Sequence, residues 1–366
     1  MSKRVIISGG GTGGHVFPAI AIANALKTID SDVKIHFVGA IGRLEMVKVP
    51  EAGYEISGLP VAGFERRLSL KNIAVVVRLI KSLLKARKII SSFKPDIAVG
   101  VGGYASGPIL KMAGRKGIPT LIQEQNSYAG LTNKLLARKA KVICVAYEGM
   151  EKYFPAGKIL LTGNPVRKDI VSLEGKRTGA LKYFKLLEEI PVVLVLGGSG
   201  GSRTLNESIA AGLEKLLGER IQVIWQTGSL YYDDIIKSHD ELEGSMIHVH
   251  AFIDRMDLAF AAADIVVSRA GAGTISELTM VGKPLILIPS AHVAGDHQAK
   301  NAMALVQRKA ALMLNDRDAV NMLAGTIIEL TNDKEKCREL SENISSMAIK
   351  DSDILIAKEI IKLIND

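Results

Sequence analysis

Three stretches of this chain combine glycine with polar or ring-bearing neighbours in a way that suits phosphate chemistry. Gly9-Gly10-Gly11-Thr12-Gly13-Gly14 follows the apolar run Val5-Ile6-Ile7 and leads into His15. Gly100-x-Gly102-Gly103-Tyr104-Ala105-Ser106-Gly107-Pro108 follows a second such run, and Gly197-Gly198-Ser199-Gly200-Gly201-Ser202 a third. Backbone without side chains can approach a ligand closely. Where it opens onto a helix it offers N–H donors and the positive end of the helix dipole to an anion. One such loop can be a mere tight turn; three imply several phosphate-bearing ligands or one very long one.

His15 sits at the tip of the first loop, after two glycines and before an apolar segment at helical spacing. A lone histidine is more often structural, but an imidazole placed there can act as a general base near neutral pH. The spacing Gly9-x-Gly11-x-x-Gly14 matches the dinucleotide fingerprint. A nicotinamide site also wants an acid at the end of the second strand, and that strand ends Phe37-Val38-Gly39-Ala40-Ile41 without one. Gly14 is followed by His15 rather than lysine, so the loop is no P-loop.

Further candidates lie in the second half. Ser268-Arg269-Ala270-Gly271-Ala272-Gly273-Thr274-Ile275-Ser276-Glu277 follows the apolar run 264–267 and reads as strand, glycine turn and helix start. Glu277, about a turn into that helix, can accept two hydroxyls of a ribose; the plainer reading is an acid favoured by the helix dipole. Asp296, Gln298 and Asn301 can hydrogen-bond a polyhydroxylated ligand, or Asp296 can simply cap a surface helix. Gln123-Glu124-Gln125-Asn126 is a polar cluster directly after a buried strand, and Gly163-Asn164-Pro165-Val166-Arg167 falls where a hinge is expected. His248 and His250 alternate on a strand with no third ligand at a metal spacing, so no metal site is read there.

The elements that position these residues alternate between short apolar runs and helical patterns. Lys34-Ile35-His36-Phe37-Val38, Asp96–Val101 and Pro119–Ile122 continue the first half, and the pattern restarts at Pro191–Leu196. Strand–helix alternation predicts parallel sheets covered on both faces. The expected fold is α/β, with two doubly wound, Rossmann-like domains facing a cleft that collects both sets of loops. Length and composition agree. The 366 residues suit two domains, and 48% hydrophobic with 23% charged residues exclude disorder, collagen and coiled coil as the main architecture. Two cysteines, Cys144 and Cys337, are too few for a disulfide framework and point to a reducing compartment. The first apolar run is too short for a signal peptide, and no stretch approaches the ~18 uncharged apolar residues of a membrane span. A soluble or peripheral protein is expected.

The net charge of +9 is concentrated. Residues 65–94 carry nine lysines and arginines against Glu65 alone, and the rest of the chain is nearly neutral. Ile73, Val76, Val77, Leu79, Ile80, Leu83 and Leu84 give this segment a broad apolar face, and Arg78, Lys81, Lys85 and Lys88 a basic one. An ordinary packed helix with solvated lysines is the bland alternative. The width of the apolar face and the local charge favour docking on an anionic membrane surface. Few aromatics accompany the cations, so no nucleic-acid partner is expected.

Taken in order, these loops resemble one family closely: the bacterial peptidoglycan glycosyltransferases that add N-acetylglucosamine to lipid I, making lipid II. The likeness rests on Gly9–Ala19, Gly102–Pro108, Glu124-Gln125-Asn126 and Gly163–Arg167. It continues in Gly197–Arg203 with Asn206, Arg269–Leu278, and His297-Gln298-x-x-Asn301-Ala302. It implies the two-domain glycosyltransferase B fold, with residues 1–163 and a returning helix 350–366 binding acceptor and membrane, and residues 164–349 binding UDP-N-acetylglucosamine. By the same resemblance Glu277 would hold the ribose, Gly271, Ala272, Gly273, Thr274, Ile275 and Ser276 the diphosphate, Ser199 a phosphate, Ile253 the uracil and Gln298 the sugar. Thr12, Gly13, Gly14, Asn126 and Arg167 would complete the donor site. Gly10, Gly11, Gly103, Tyr104 and Ser106 would take the acceptor diphosphate. Members often carry histidine where this chain has Gln123, so His15 becomes the favoured base, with Glu124 the other candidate.

What the resemblance implies is an inverting transfer to a lipid-linked muramyl-peptide acceptor, without metal or other cofactor, at the cytoplasmic face of the bacterial membrane. A UDP-sugar epimerase or a glycolipid synthase of the same superfamily is the alternative. The basic segment and the loop at 102–108 argue against the epimerase, and the paired glycine loops favour a diphosphate acceptor over diacylglycerol.

Overall fold

Val5 and Ile7 point to one face of β1 (Arg4–Ser8) and Ile6 to the other, and all three are fully buried. A strand covered on both sides belongs in the middle of a sheet. The computed structural model describes residues 2–61, 71–166, 170, 172–198, 200–239, 246–291 and 296–366, without the side chains of 71–75. The chain divides into two compact units, Met1–Val166 with Ile349–Asp366, and Arg167–Ala348.

In the first unit β1 is joined by β2 (Lys34–Ala40), β3 (Glu55–Leu59), β4 (Ile97–Gly100), β5 (Thr120–Glu124), β6 (Val142–Val145) and β7 (Ile159–Leu161). Their order is β3-β2-β1-β4-β5-β6-β7, with every pairing parallel. Between them run α1 (Gly13–Ile29), α2 (Glu45–Glu51), α3 (Lys71–Phe93), α4 (Ser106–Arg115) and α5 (Leu131–Leu136).

The second unit holds β8 (Val192–Leu196), β9 (Gln222–Gln226), β10 (Ile247–His250), β11 (Ile265–Ser268), β12 (Leu285–Leu287) and β13 (Leu312–Met313). They are ordered β10-β9-β8-β11-β12-β13, again parallel throughout. Its helices are α6 (Arg177–Phe184), α7 (Arg203–Gly218), α8 (Tyr232–Ser238), α9 (Met256–Ala262), α10 (Ala272–Val281), α11 (His297–Val306), α12 (Ala319–Asn332) and α13 (Lys334–Ser346). Counted from its own first strand, the second sheet runs 3-2-1-4-5-6 and the first the same with a seventh strand added at the end, the doubly wound order that gathers ligand loops beyond the strands' carboxyl ends.

The last helix, α14 (Ser352–Asn365), belongs to the first unit. Its Ile356, Ala357 and Ile360 join Val5, Ile7, Ile22 and Leu26 in one buried cluster. The opposite face of that sheet is covered by Ala86 and Ile90 of α3 and Ile109 and Ala113 of α4. Burying Ile356 and Ile360 is worth about 1.5–3 kcal/mol each by transfer, enough to make α14 part of the unit's core rather than a decoration.

Candidate active site

In the first unit the β1–α1 loop and the β4–α4 loop touch backbone to backbone. A Cβ built on Gly103 would lie 2.3 Å from the Gly10 carbonyl oxygen, and one on Gly9 2.2 Å from Val101 Cγ2. Gly10 and Gly103 both have positive φ, +146° and +79°, so these contacts require glycine twice over. The α1 amide ends at Gly13 and Gly14 open from this paired surface. Tyr104, at the tip of the second loop, is 61% exposed.

His15 lies where the two loops meet. A Cβ on Gly102 would fall 2.6 Å from its Cδ2 and 2.7 Å from its Nε2, so that edge of the ring is turned to the glycine, and its Nδ1 is 3.3 Å from Thr12 Oγ1. For Nε2 to accept a proton, Nδ1 must carry the hydrogen and donate it to Thr12 Oγ1. The sequence-predicted residues Thr12, Gly13, Gly14, His15, Gly10, Gly11, Gly103 and Tyr104 are thus brought into one place.

Two expectations in this unit need correction. Glu124 is 2% exposed, and its carboxylate accepts from the Asn126 and Gly130 amides (3.1 and 2.9 Å) and from the Asn126 and Asn133 side chains (3.3 and 2.8 Å). Four donors engage both oxygens, so Glu124 anchors the loop 124–133 and is not placed to abstract a proton. Ser106 is fully buried, and its hydroxyl donates to the Gly103 carbonyl oxygen at 2.9 Å. It shapes the second loop rather than meeting a ligand. Gln123 is also buried and donates to Asn164 Oδ1 at 2.7 Å. The Cys144 thiol is pushed up to about 12 by burial, which removes it as a nucleophile.

Sequence reasoning missed Glu45. It is 1% exposed, and its carboxylate accepts from the Ala40 and Gly11 amides, each at 2.8 Å. The second strand does have its acid, five residues beyond Ala40, and the protein spends it on its own glycine loop. The signal was an acid shortly after β2 on the first turn of a helix, hidden by looking only at the strand's last residues.

In the second unit Gly271 is the N-cap of α10, leaving the amides of Ala272, Gly273 and Thr274 at the helix start for an anion. Ile275 is a correction: it is 1% exposed, and its amide donates to Gly271 O at 2.9 Å. Ser276 is another, since its hydroxyl donates to Ala272 O at 3.0 Å. Glu277 is half-buried on the next turn. Gln298, near the start of α11, accepts the Ser290 amide at 2.8 Å through Oε1, which points its Nε2 elsewhere. Asn301 is buried and donates to Ala270 O at 3.3 Å. It braces the glycine turn and is not a ligand-facing group. Ile253 is buried with its amide bonded to Gln226 Oε1 at 3.1 Å. Asp296 takes the N-cap position of α11, but its side chain caps nothing. Arg167 and Ser199 lie outside the described residues.

Arg269, quoted in the motif without a role, ties three loops together behind α10. Its guanidinium donates to Ser202 Oγ at 2.8 Å and Ile288 O at 2.9 Å, and it pairs closely with Asp316. The expectation that no metal motif is present passed over three Asp-x-Asp triplets, at 30–32, 316–318 and 351–353. Asp30 is held by Lys3 at 2.9 Å, Asp316 by Arg269, and Asp351 is the N-cap residue of α14.

On the outer face of α3 Val76, Val77, Leu79, Ile80 and Leu84 are exposed, Leu84 by 63%. Arg78, Lys81, Lys85 and Lys88 are exposed among them. Ser82, Ala86 and Ile90 supply the buried stripe, and Leu83 is half-buried against the core rather than on the outer face. Ile73 falls among the residues whose side chains are not described. No helix among the described residues is long and apolar enough to cross a membrane.

Residues 5–145 match the glycosyltransferase family 28 N-terminal domain and residues 192–356 the family 28 C-terminal domain. The chain belongs to glycosyltransferase family 28, and its two parallel α/β units have the glycosyltransferase B fold. Two relatives are each a UDP-N-acetylglucosamine--N-acetylmuramyl-(pentapeptide) pyrophosphoryl-undecaprenol N-acetylglucosamine transferase. That of Bacteroides fragilis is 55% identical over 364 residues, covering 98% of this chain and 95% of its own. That of Parabacteroides distasonis is 56% identical over 362 residues, covering 99% and 98%. The crystal structure of Acinetobacter baumannii MurG superposes with a TM-score of 0.82 at 26% identity, over 98% of this chain and 99% of that one.

Proposed function

We propose that this protein transfers N-acetylglucosamine from UDP-N-acetylglucosamine to the C4 hydroxyl of the muramyl sugar of lipid I, forming lipid II in peptidoglycan synthesis. The observation that carries the reading is the paired glycine surface of the first unit with His15 packed on it, in a chain more than half identical to transferases of that name. A second glycine-capped helix in the other unit supplies the separate phosphate site that a nucleotide-sugar donor needs.

In this reading the second unit holds the donor. The α10 amide end faces the diphosphate, Glu277 accepts the ribose hydroxyls, Gln298 donates to the sugar and the Ile253 segment lies against the uracil. Arg167 and Ser199 keep the donor roles that the family resemblance gives them. Thr12, Gly13, Gly14 and Asn126 contribute from the first unit. Gly10, Gly11, Gly103 and Tyr104 line the acceptor diphosphate. His15 takes the C4 hydroxyl proton as the oxygen attacks the anomeric carbon opposite the leaving UDP, which inverts the configuration. The helix amides stabilise the charge that develops on the diphosphate. No metal or other cofactor enters the scheme.

The exposed apolar and basic face of α3 supports peripheral docking on anionic lipid, where a lipid-linked acceptor resides. In this reading the enzyme works at the cytoplasmic face of the membrane, and its product enters the wall synthesis on which cell shape and division depend.

The test is an incubation with UDP-N-acetylglucosamine, with and without a lipid-linked muramyl-pentapeptide acceptor. UDP release that requires the acceptor and yields the β-linked disaccharide is the expected result. Epimerised sugar formed without acceptor, or transfer to diacylglycerol instead, would overturn it.

A further inference from the structure

The Glu45 carboxylate fills the space that side chains at two glycines would take. A Cβ on Gly10 would lie 2.1 Å from its Cδ, and one on Gly39 2.4 Å from its Cγ. Its two oxygens each receive one amide, from Ala40 at the end of β2 and from Gly11 in the β1–α1 loop. One buried side chain therefore bridges two adjacent strand ends and sets the path of the loop that leads, through Thr12, into His15. Gly11 has φ of +96° with nothing within 4 Å of where a Cβ would stand. A side chain there would meet no neighbour, and the Gly11 amide is tied to the buried Glu45 carboxylate.

We infer that Glu45 is a positioning residue for the transfer, fixing the first glycine loop and with it His15. The inference rests on the reading of the loop and His15 in the preceding subsection. It also deepens that reading, because Gly11's amide is engaged inward. With that amide turned inward, the fixed backbone at Gly10 and Gly11 lines the acceptor diphosphate by its shape, and the loop carries Thr12, Gly13 and Gly14 on toward the donor at a set depth. A buried carboxylate beside an anion site is an odd choice on electrostatic grounds alone. It makes sense where two amides need two acceptors at once, a demand that only a carboxylate of this length meets here.

The test compares wild type with Glu45→Gln, which keeps the length but turns one acceptor into a donor facing an amide. A displaced loop should lower kcat for lipid-linked acceptor by about tenfold to a hundredfold, as small misplacements of catalytic groups do. KM for UDP-N-acetylglucosamine should rise by much less than kcat falls, because in this reading most donor contacts come from the other unit and only Thr12, Gly13 and Gly14 come from this loop. Gly10→Ala, which drives a methyl into the carboxylate from the loop side, should give the same split. Hydrogen exchange of the peptide spanning residues 9–14 supplies a readout independent of activity. The Gly11 amide should exchange at least about tenfold faster in Glu45→Gln. Unchanged exchange, an unchanged kcat, or a kcat loss matched by an equal rise in donor KM would overturn the assignment. If wild type itself fails to use the acceptor, the functional reading falls, and the exchange result still decides whether Glu45 holds the loop.

Discussion

The Gly10 carbonyl oxygen and Gly103 are in direct backbone contact, with no room for a Cβ on Gly103, which would sit 2.3 Å from that oxygen. The two loops of the first unit are one surface because of this contact. Gly103→Ala adds a clash to a left-handed backbone that costs an alanine about 1–2 kcal/mol. It should part the loops and cut acceptor-dependent turnover by about tenfold or more. UDP-N-acetylglucosamine binding should be unaffected. Steady-state kinetics alongside calorimetric donor binding would check both halves of this expectation.

Replacing His15 by alanine should lower kcat by ~10²–10⁴ if its imidazole is the base, with the melting temperature little changed, since the ring is half-buried at a loop tip. A near-normal kcat in a well-folded variant would remove it from that role. Glu124→Gln is a useful contrast. It should act through loop stability, visible in thermal unfolding, before it acts on chemistry.

Glu277→Ala should weaken UDP-N-acetylglucosamine by roughly 1–3 kcal/mol, the loss of a charged acceptor for two hydroxyls. Isothermal titration measures this directly, and unchanged affinity would sink the ribose assignment.

The outer face of α3 can be tested by reversing its charge. Each cation near an anionic surface is worth about 1 kcal/mol, so Lys81→Glu, Lys85→Glu and Lys88→Glu together should abolish co-sedimentation with phosphatidylglycerol vesicles. Donor binding should survive. Sedimentation that persists in the triple variant would mean the patch serves another purpose.

Burial pushes the His248 and His250 imidazoles below their ordinary value, and for His248 the neighbouring His250 and Lys185 charges add to the effect. In the unfolded chain both titrate near pH 6.5. As pH falls through that value the unfolded chain takes up protons before the folded one does, so stability is full above about pH 7 and declines below it, down to the depressed folded values. The urea midpoint of the wild type should drop between pH 7.5 and 5.5. A His248→Gln/His250→Gln variant should show a flatter profile.

Much of the fold was legible because the strands are apolar runs buried on both faces, and Val192–Leu196 before a glycine cluster admits few other readings. The glycine loops and His15 were legible for the same local reason. What escaped were residues whose roles depend on partners far along the chain. Asn133 is invisible until α5 folds back and its amide reaches Glu124 Oε2 at 2.8 Å. Glu45 escaped because its partner, Gly11, precedes it by 34 positions. Glu124 was read as ligand-facing from its place at a strand end, Ser106 from the family resemblance and Asn301 from its spacing on a helix. In each case the polar atoms instead satisfy the backbone of a loop, a need that composition and spacing do not reveal.

Helix α14 has a consequence for the order in which this protein can be made. Its isoleucines close the cluster built on β1 and α1, yet all of the second unit, Arg167–Ala348, lies between them in the chain. On the ribosome the half that is translated first must therefore wait, with the α14 part of one sheet face uncovered beside α1, until the half translated second has already emerged. A lesion at the far end of the message, such as loss of Ile356 and Ile360, would be felt in the first unit and spare the second.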